Sequence, residues 1–208
     1  MTSPIQNARA AFKAYDIRGR YPEELDCQVA RRIGLAYARL FSPTRVVVGH
    51  DIRLSSPLLA AALTQGLTMG GVEVLDLGLC GTEEVYFAVL EGGLDGGVMV
   101  TASHNPANYN GMKLVGPQAR PISGENGLDA LRDLVLEGPL PEPGTTPAQV
   151  LPTSIHDRFL DFALARVEVG KLPPLKVLCD PGNGGAGILL ERLEGRLPVE
   201  MILRDAEP

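Results

Sequence analysis

Apolar positions along the chain recur at two spacings, and the two alternate. Between residues 26 and 40, Val29, Ile33, Ala36, Tyr37 and Leu40 fall at helical intervals, and Asp26 stands where an N-cap belongs. Residues 45–50 carry a β-branched run, which predicts a buried strand. Ser55 and Ser56 then offer an N-cap with Pro57 at the first helical position. Leu58, Leu59, Ala62, Leu63, Gly66 and Leu67 carry that helix, and Gly70 and Gly71 end it. A strand is predicted at 72–77, a helix opening at Thr82 or Glu83 and running through Val85, Phe87, Val89 and Leu90, and an apolar strand at 97–101. A strand at 112–115 and a helix at 124–136 follow. Alternation of this kind predicts an α/β layer architecture, with a mixed sheet sandwiched between helices.

Residues 138–152 break the pattern. Pro139, Pro141, Pro143, Pro147 and Pro152 crowd this stretch, which reads as a linker. Beyond it lie a predicted helix at 154–169, a strand at 175–180, a glycine-rich turn, a helix at 188–194 and a strand at 199–203. One βαβ unit buries little by itself. The expected division is therefore one domain over 1–150 and the truncated beginning of a second, similar domain over 151–208.

Composition narrows the function classes. The 208 residues carry 19 Lys and Arg against 25 Asp and Glu, a net charge of −6. An acidic chain is poorly suited to sequence-independent contact with nucleic-acid phosphates. No apolar run approaches the roughly 20 residues of a membrane span, and the N-terminus lacks a signal pattern. Cys27, Cys80 and Cys179 are odd in number, far apart and form no Cys-x-x-Cys pair, so neither a disulfide framework nor a cysteine zinc site is expected. A reducing cytoplasm is the simplest compartment.

The candidate chemistry sits after the apolar strand that ends near Thr101. Ser103, His104 and Asn105 follow it, and the carboxyl ends of strands are where α/β sheets bind ligands. Pro106 stiffens the turn and keeps Asn105 extended. Asn110-Gly111 reads as a tight turn that returns Lys113 towards the loop. Adjacent residues in an extended chain point to opposite faces, so Ser103 and His104 make a poor nucleophile–base pair. The flanking glycines of a hydrolase elbow are also absent. A serine that carries a phosphoryl group suits the loop better. Phosphoryl transfer is mostly positioning and charge stabilisation, so cations should gather near it. Arg18, Arg20, Arg53 and Lys113 stand in loop-like places.

Thr101-Ala102-Ser103-His104-Asn105-Pro106 with Tyr109-Asn110-Gly111-Met112-Lys113 closely resembles the phosphoserine loop of the α-D-phosphohexomutases, a family that includes phosphomannomutase/phosphoglucomutase. Three further segments agree in order and spacing: Phe12 to Gly19, Val48 to Ser55, and Asp180 to Gly187. The resemblance implies that Ser103 is the phosphorylated serine and that its phosphate helps bind Mg²⁺. It implies that His104 and Lys113 handle protons or charge, with Lys113 the better general base. Arg18 would steady phosphate and Tyr15 would shape the pocket. Asn105 and Asn110 would hold the loop, and Arg53 and His50 would face phosphate. The implied reaction moves phosphate between the 1- and 6-positions of a hexose through a 1,6-bisphosphate, with glucose or mannose 1,6-bisphosphate as activator. Hexose phosphates and the remaining domains of the same enzyme are the implied partners.

The sequence also departs from the family. His50 stands where Arg is common, and Glu83 where Pro is usual, which is expected to loosen a helix start. The family's Asp-Gly-Asp-x-Asp-Arg metal loop is absent from these residues, so the chain alone is expected to turn over little or nothing. Two alternatives carry different functions. Gly182-x-Gly184-x-x-Gly187, with Asp205 beyond the next strand, fits a dinucleotide-binding fingerprint. A sugar-phosphate-binding module without turnover would keep the serine loop and need no metal.

Overall fold

A computed structural model describes residues 4–140 and 147–208. Pro141 and Pro143 of the expected linker lie outside the described residues. In chain order the elements are α1 (Pro4–Asn7), β1 (Ile17–Arg20), α2 (Cys27–Phe41), β2 (Arg45–His50), α3 (Ser56–Met69), β3 (Glu73–Leu79) and α4 (Thr82–Glu91). Then come β4 (Gly96–Val100), β5 (Tyr109–Gly116), β6 (Arg120–Pro121), α5 (Leu128–Glu137), β7 (Val150–Pro152) and α6 (His156–Leu164). The last are β8 (Lys176–Cys179), α7 (Ala186–Leu193) and β9 (Glu200–Leu203).

Seven strands form one mixed sheet in the order β1-β5-β4-β2-β3-β7, with β6 paired to β5. Strands β4, β2, β3 and β7 run parallel, and β5 is antiparallel to both β4 and β1. The crossovers explain the layers. The chain steps from β2 one way to β3, then back past β2 to β4. Right-handed crossovers in opposite directions put α3 and α4 on opposite faces. The expected sandwich is what forms. One core packs Ile33, Leu59, Leu63 and Leu67 against Val46, Val48, Val98 and Met112. The other packs Val85, Phe87 and Val89 against Val47, Met99 and Val115. The valines of β2 thus alternate between cores, which is why a strand covered on both faces reads as a continuous apolar run.

Asp26 caps α2 as expected, its carboxylate accepting from the Val29 N–H at 2.8 Å. Helices α2 and α3 approach until backbones touch. A Cβ on Gly66 would lie 2.1 Å from the Arg31 carbonyl oxygen, and one on Gly34 would lie 2.3 Å from that of Leu63. Cys27, Cys80 and Cys179 are all free, and burial pushes the Cys80 thiol up to about 12.

The stretch after the prolines is more ordered than a linker. Val150, Leu151 and Pro152 pair in parallel with Val74, Leu75 and Asp76 at the sheet edge. Ile155, His156 and Leu160 are buried. Phe159 and Phe162 pack on Phe87 with ring centroids 5.6 and 4.8 Å apart. A buried Glu84–His156 contact of 2.6 Å joins α4 to α6. Residues 150–164 therefore build on the first sheet, across the expected division at 150. Strands β8 and β9 pair separately and in parallel. Helix α6 is shorter than the predicted 154–169 and gives way to a turn at Ala165.

The helix contact generates a test. Gly66→Ala should lower stability by about 1–3 kcal/mol, the usual cost of forcing atoms into a packed site. A urea unfolding midpoint measures it, and an unchanged midpoint would contradict the close approach.

Candidate active site

The carboxyl ends of β2 and β4 lie side by side, and their chains leave in opposite directions. That is the crevice where open α/β sheets take ligands. Ser103 follows β4 there, exposed, with a left-handed backbone at φ 54°. A residue other than glycine rarely holds that conformation, and it costs of order 1–3 kcal/mol unless its surroundings impose it. The surroundings are visible. The Ser103 N–H donates to Thr101 Oγ1 at 3.0 Å, and the Asn105 N–H and side-chain amide both donate to the Ala102 carbonyl, at 3.1 and 2.9 Å. Arg53 reaches across from the β2–α3 turn and donates to the carbonyls of Ser103 (3.0 Å), Asn105 (2.6 Å), Pro106 (2.8 Å) and Tyr109 (3.0 Å). The Ser103 hydroxyl has no hydrogen-bond partner among the described residues, so no Ser–His dyad forms. His104 beside it is exposed.

Asn110 and Gly111 are not a turn. They lie inside β5, opposite Gly19 and Arg18 of β1. The dipeptide looks like a turn, but its backbone groups are used by the strand ladder, and the bare Gly111 allows the close pairing. A Cβ there would meet the Ile17 carbonyl oxygen at 2.1 Å. Asn110 is fully buried and donates to the hydroxyls of Ser55 and Ser56 at 2.8 and 2.9 Å. Ser56 in turn donates to Asp51. The serines expected to cap α3 instead anchor Asn110, and neither caps the helix through its side chain.

Arg18 and Arg20 are also not in a loop. Both lie on β1, whose pairing with β5, rather than any apolar pattern of its own, defines it. Arg20 pairs with Glu24 at 2.8 Å. Arg18 pairs with Asp16 at 2.7 Å, and Lys113 sits 3.6 Å from the same carboxylate. Asp16 is only 7% exposed, so one nearly buried carboxylate holds two cations. Sequence reasoning missed Asp16. The two-residue Asp-x-Arg spacing was the available signal, because it sets a carboxylate just before β1 within reach of an arginine on it.

The expected site residues therefore fall into groups. An open groove of 920 Å³ lines Ser103, Asn105 and Arg53 with Asp51, Ser55, Tyr21 and Leu58. Lys113 lines a separate groove with Thr82, Tyr86 and Phe162 on the α4–α6 side. No hydrogen bond or ion pair among the described residues joins Lys113 or Arg18 to the Ser103 loop. Tyr15 is 79% exposed next to Asp16. His50 lines neither groove. It faces Pro57, Ala61 and Asp76 beneath α3, and its Nδ1 meets the Asp51 carbonyl at 2.9 Å. The start of α4 is not loosened by Glu83: Glu84 accepts from the Gly81 N–H at 2.7 Å and pins it. In the glycine-rich turn, the N–H groups of Gly182, Asn183, Gly184 and Gly187 already donate to Asp180, Asp205, Pro181 and Gly184. A phosphate cradle needs such groups free, and these four are already used within the turn.

Fold and loop together define a class: an α/β/α domain that presents a strained, exposed serine at a sheet crevice, with a carboxylate-held pair of cations on the edge strand β1 and its neighbour β5. Comparison with known proteins agrees. The sequence pattern described as phosphoglucomutase/phosphomannomutase, alpha/beta/alpha domain I, matches residues 9–138. The chain is 50% identical over 204 residues to a protein named phosphohexose mutases from Xanthomonas campestris pv. campestris (strain B100), covering 95% of this chain and 44% of that one. It is 47% identical over 202 residues to a phosphomannomutase of Salmonella montevideo, covering 94% and 44%. A crystal structure of a phosphoglucomutase/phosphomannomutase family protein from Burkholderia thailandensis superposes with a TM-score of 0.82 at 35% identity, covering 96% of this chain and 44% of that one. The chain belongs to the phosphoglucomutase/phosphomannomutase family, and it spans less than half the length of these relatives, at their N-terminal end.

The buried amide is testable. Asn110→Ala removes three hydrogen bonds, two to the serine hydroxyls and one from the Gly111 N–H, and strips Ser55 of its partner. Stability should fall by about 1–3 kcal/mol, the cost of a buried polar group left unsatisfied. Thermal or urea unfolding measures this, and no loss would contradict the network.

Proposed function

We propose that this chain carries the phosphoryl-transfer serine of a phosphohexomutase acting on mannose or glucose phosphates. The observation that supports this reading most is the loop itself: a serine hydroxyl without a partner, held outward in a left-handed turn at the mouth of the sheet crevice. In the proposed cycle, phosphorylated Ser103 gives its phosphoryl group to a hydroxyl of a hexose monophosphate. The Ser103 Oγ–P bond breaks, a sugar O–P bond forms, and the hydroxyl proton passes to a base. The bisphosphate turns around, and its other phosphoryl group returns to Ser103 Oγ. Lys113 is the proposed base, with Asp16 fixing its position and Arg18 adding positive charge beside it. His104, Tyr15 and Asn105 are proposed to border the sugar phosphate.

Mg²⁺ and a hexose 1,6-bisphosphate activator belong to the same proposal. Among the described residues no three His, Cys, Asp or Glu side chains cluster to hold a cation. Octahedral Mg²⁺ needs more oxygen ligands than one phosphoserine gives, so these residues do not form the metal site, and no step above is routed through it. The remaining domains of the whole protein are the proposed source of the other ligands and of sugar selection. No helix among the described residues is long and apolar enough to cross a membrane. A cytoplasmic location remains part of the proposal.

A coupled assay for conversion of mannose 1-phosphate or glucose 1-phosphate tests the reading. The whole protein should turn over, and Ser103→Ala should abolish it. Lys113→Ala should lower kcat by about 10²–10⁴-fold, the usual share of a general base. The 208-residue chain alone should show no turnover. Robust turnover by that chain, or an active Ser103→Ala protein, would contradict the proposal. Binding of hexose phosphate by the whole protein without turnover would make it a sugar-phosphate-binding module instead.

A further inference from the structure

Arg53 is expected from sequence to face phosphate, yet the structure gives its donors other partners. A guanidinium has five N–H groups. Both groups on Nη1 go to the Pro106 and Tyr109 carbonyls, and both on Nη2 go to the Ser103 and Asn105 carbonyls. Nε faces Asp51 Oδ2 at 3.4 Å. An arginine that grips phosphate needs at least two free donors in a fork, and here all four Nη donors are taken. The side chain is only 15% exposed.

We propose that Arg53 is a positioning residue: it gathers four carbonyls of the serine loop around one centre and thereby holds the Ser103 hydroxyl outward. It does not bind phosphate itself. The consequence for phosphoryl transfer rests on the function proposed above; the gathering of the loop does not. Asp51 completes the device. Its Oδ1 accepts from the Arg53 backbone N–H at 3.0 Å and from Ser56, and its own N–H donates to the Val100 carbonyl at 3.0 Å. The turn after β2 is thus fixed to the end of β4, and the guanidinium starts from a fixed base. All four carbonyls fall within residues 103–109, so one side chain determines the path of the whole loop. Lysine cannot substitute. Its ammonium has three donors at a single point and no planar fork to span four acceptors.

The test places Arg53→Lys and Arg53→Met in the whole protein and is read in two ways. Amide hydrogen exchange reports the loop through the N–H groups of Ser103, Asn105 and Tyr109, each hydrogen-bonded within the loop. These amides should exchange roughly tenfold or more faster in both variants, because charged hydrogen bonds that oppose local opening are gone. Strands β2 and β4 should keep their protection. Intact mass reports phosphoryl uptake on Ser103 from glucose 1,6-bisphosphate, which should slow in both variants without rescue by lysine. Unchanged loop exchange in Arg53→Met, or a rise spread evenly over the chain, would overturn the proposal. So would uptake restored by lysine while the loop amides stay fast, because that would make Arg53 a charge for phosphate. If the whole protein with Arg53 intact takes up no phosphoryl group, the phosphoryl-transfer reading fails, and the exchange result still decides the role of Arg53.

Discussion

Four backbone carbonyls of the serine loop converge on a space that Arg53 fills. Without that side chain, the loop would lose four charge-assisted hydrogen bonds that draw these carbonyls together. With the guanidinium present, the same carbonyls become the reason for the turn. The other contacts at the crevice follow from fixing that guanidinium. Asp51 holds it and ties the turn after β2 to Val100. Ser56 donates to Asp51, and Asn110 donates to Ser55 and Ser56, so β5 and α3 join the same network. The start of helix α3 is thus tied to the crevice, while its length packs on α2.

Strand β5 divides the chemistry between the two faces of the sheet. Alternation along it sends Asn110 to the α3 side and Lys113 to the α4–α6 side. The serine loop is organised by the first face, while Asp16, Arg18 and Lys113 are organised by the second. Two cations on one nearly buried carboxylate leave a local net positive charge in an acidic chain. That is a suitable neighbour for a phosphorylated substrate, and it is kept apart from the cation that shapes the loop. Under the proposed function, positioning and charge stabilisation would fall on different arginines.

Much of the fold was legible because it rests on local patterns. The periodic apolar positions of α2 and α3, the Asp26 cap and the valine run of β2 identify themselves. Strand β1 does not, because Ile-Arg-Gly-Arg has no apolar alternation and exists as a strand only through β5. Strand β7 is hidden among prolines for the same reason: it borrows its ladder from β3. Asn110-Gly111 misleads because the same two residues serve a tight turn or a close strand pairing, and only the partner strand decides. At the site, the serine loop could be found from its sequence. The partners of Arg53 could not, since a guanidinium that grips phosphate and one that grips carbonyls look alike until all five donors are placed.

The central claim is that Ser103 is the group that carries phosphate. Its most direct test is to expose the whole protein to glucose 1,6-bisphosphate and map any phosphate by fragmentation of the peptide spanning residues 102–113. The account predicts a single phosphate, on the Ser103 side chain, with His104, Ser55 and Ser56 unmodified. Phosphate found on His104, or distributed among the serines, would contradict it.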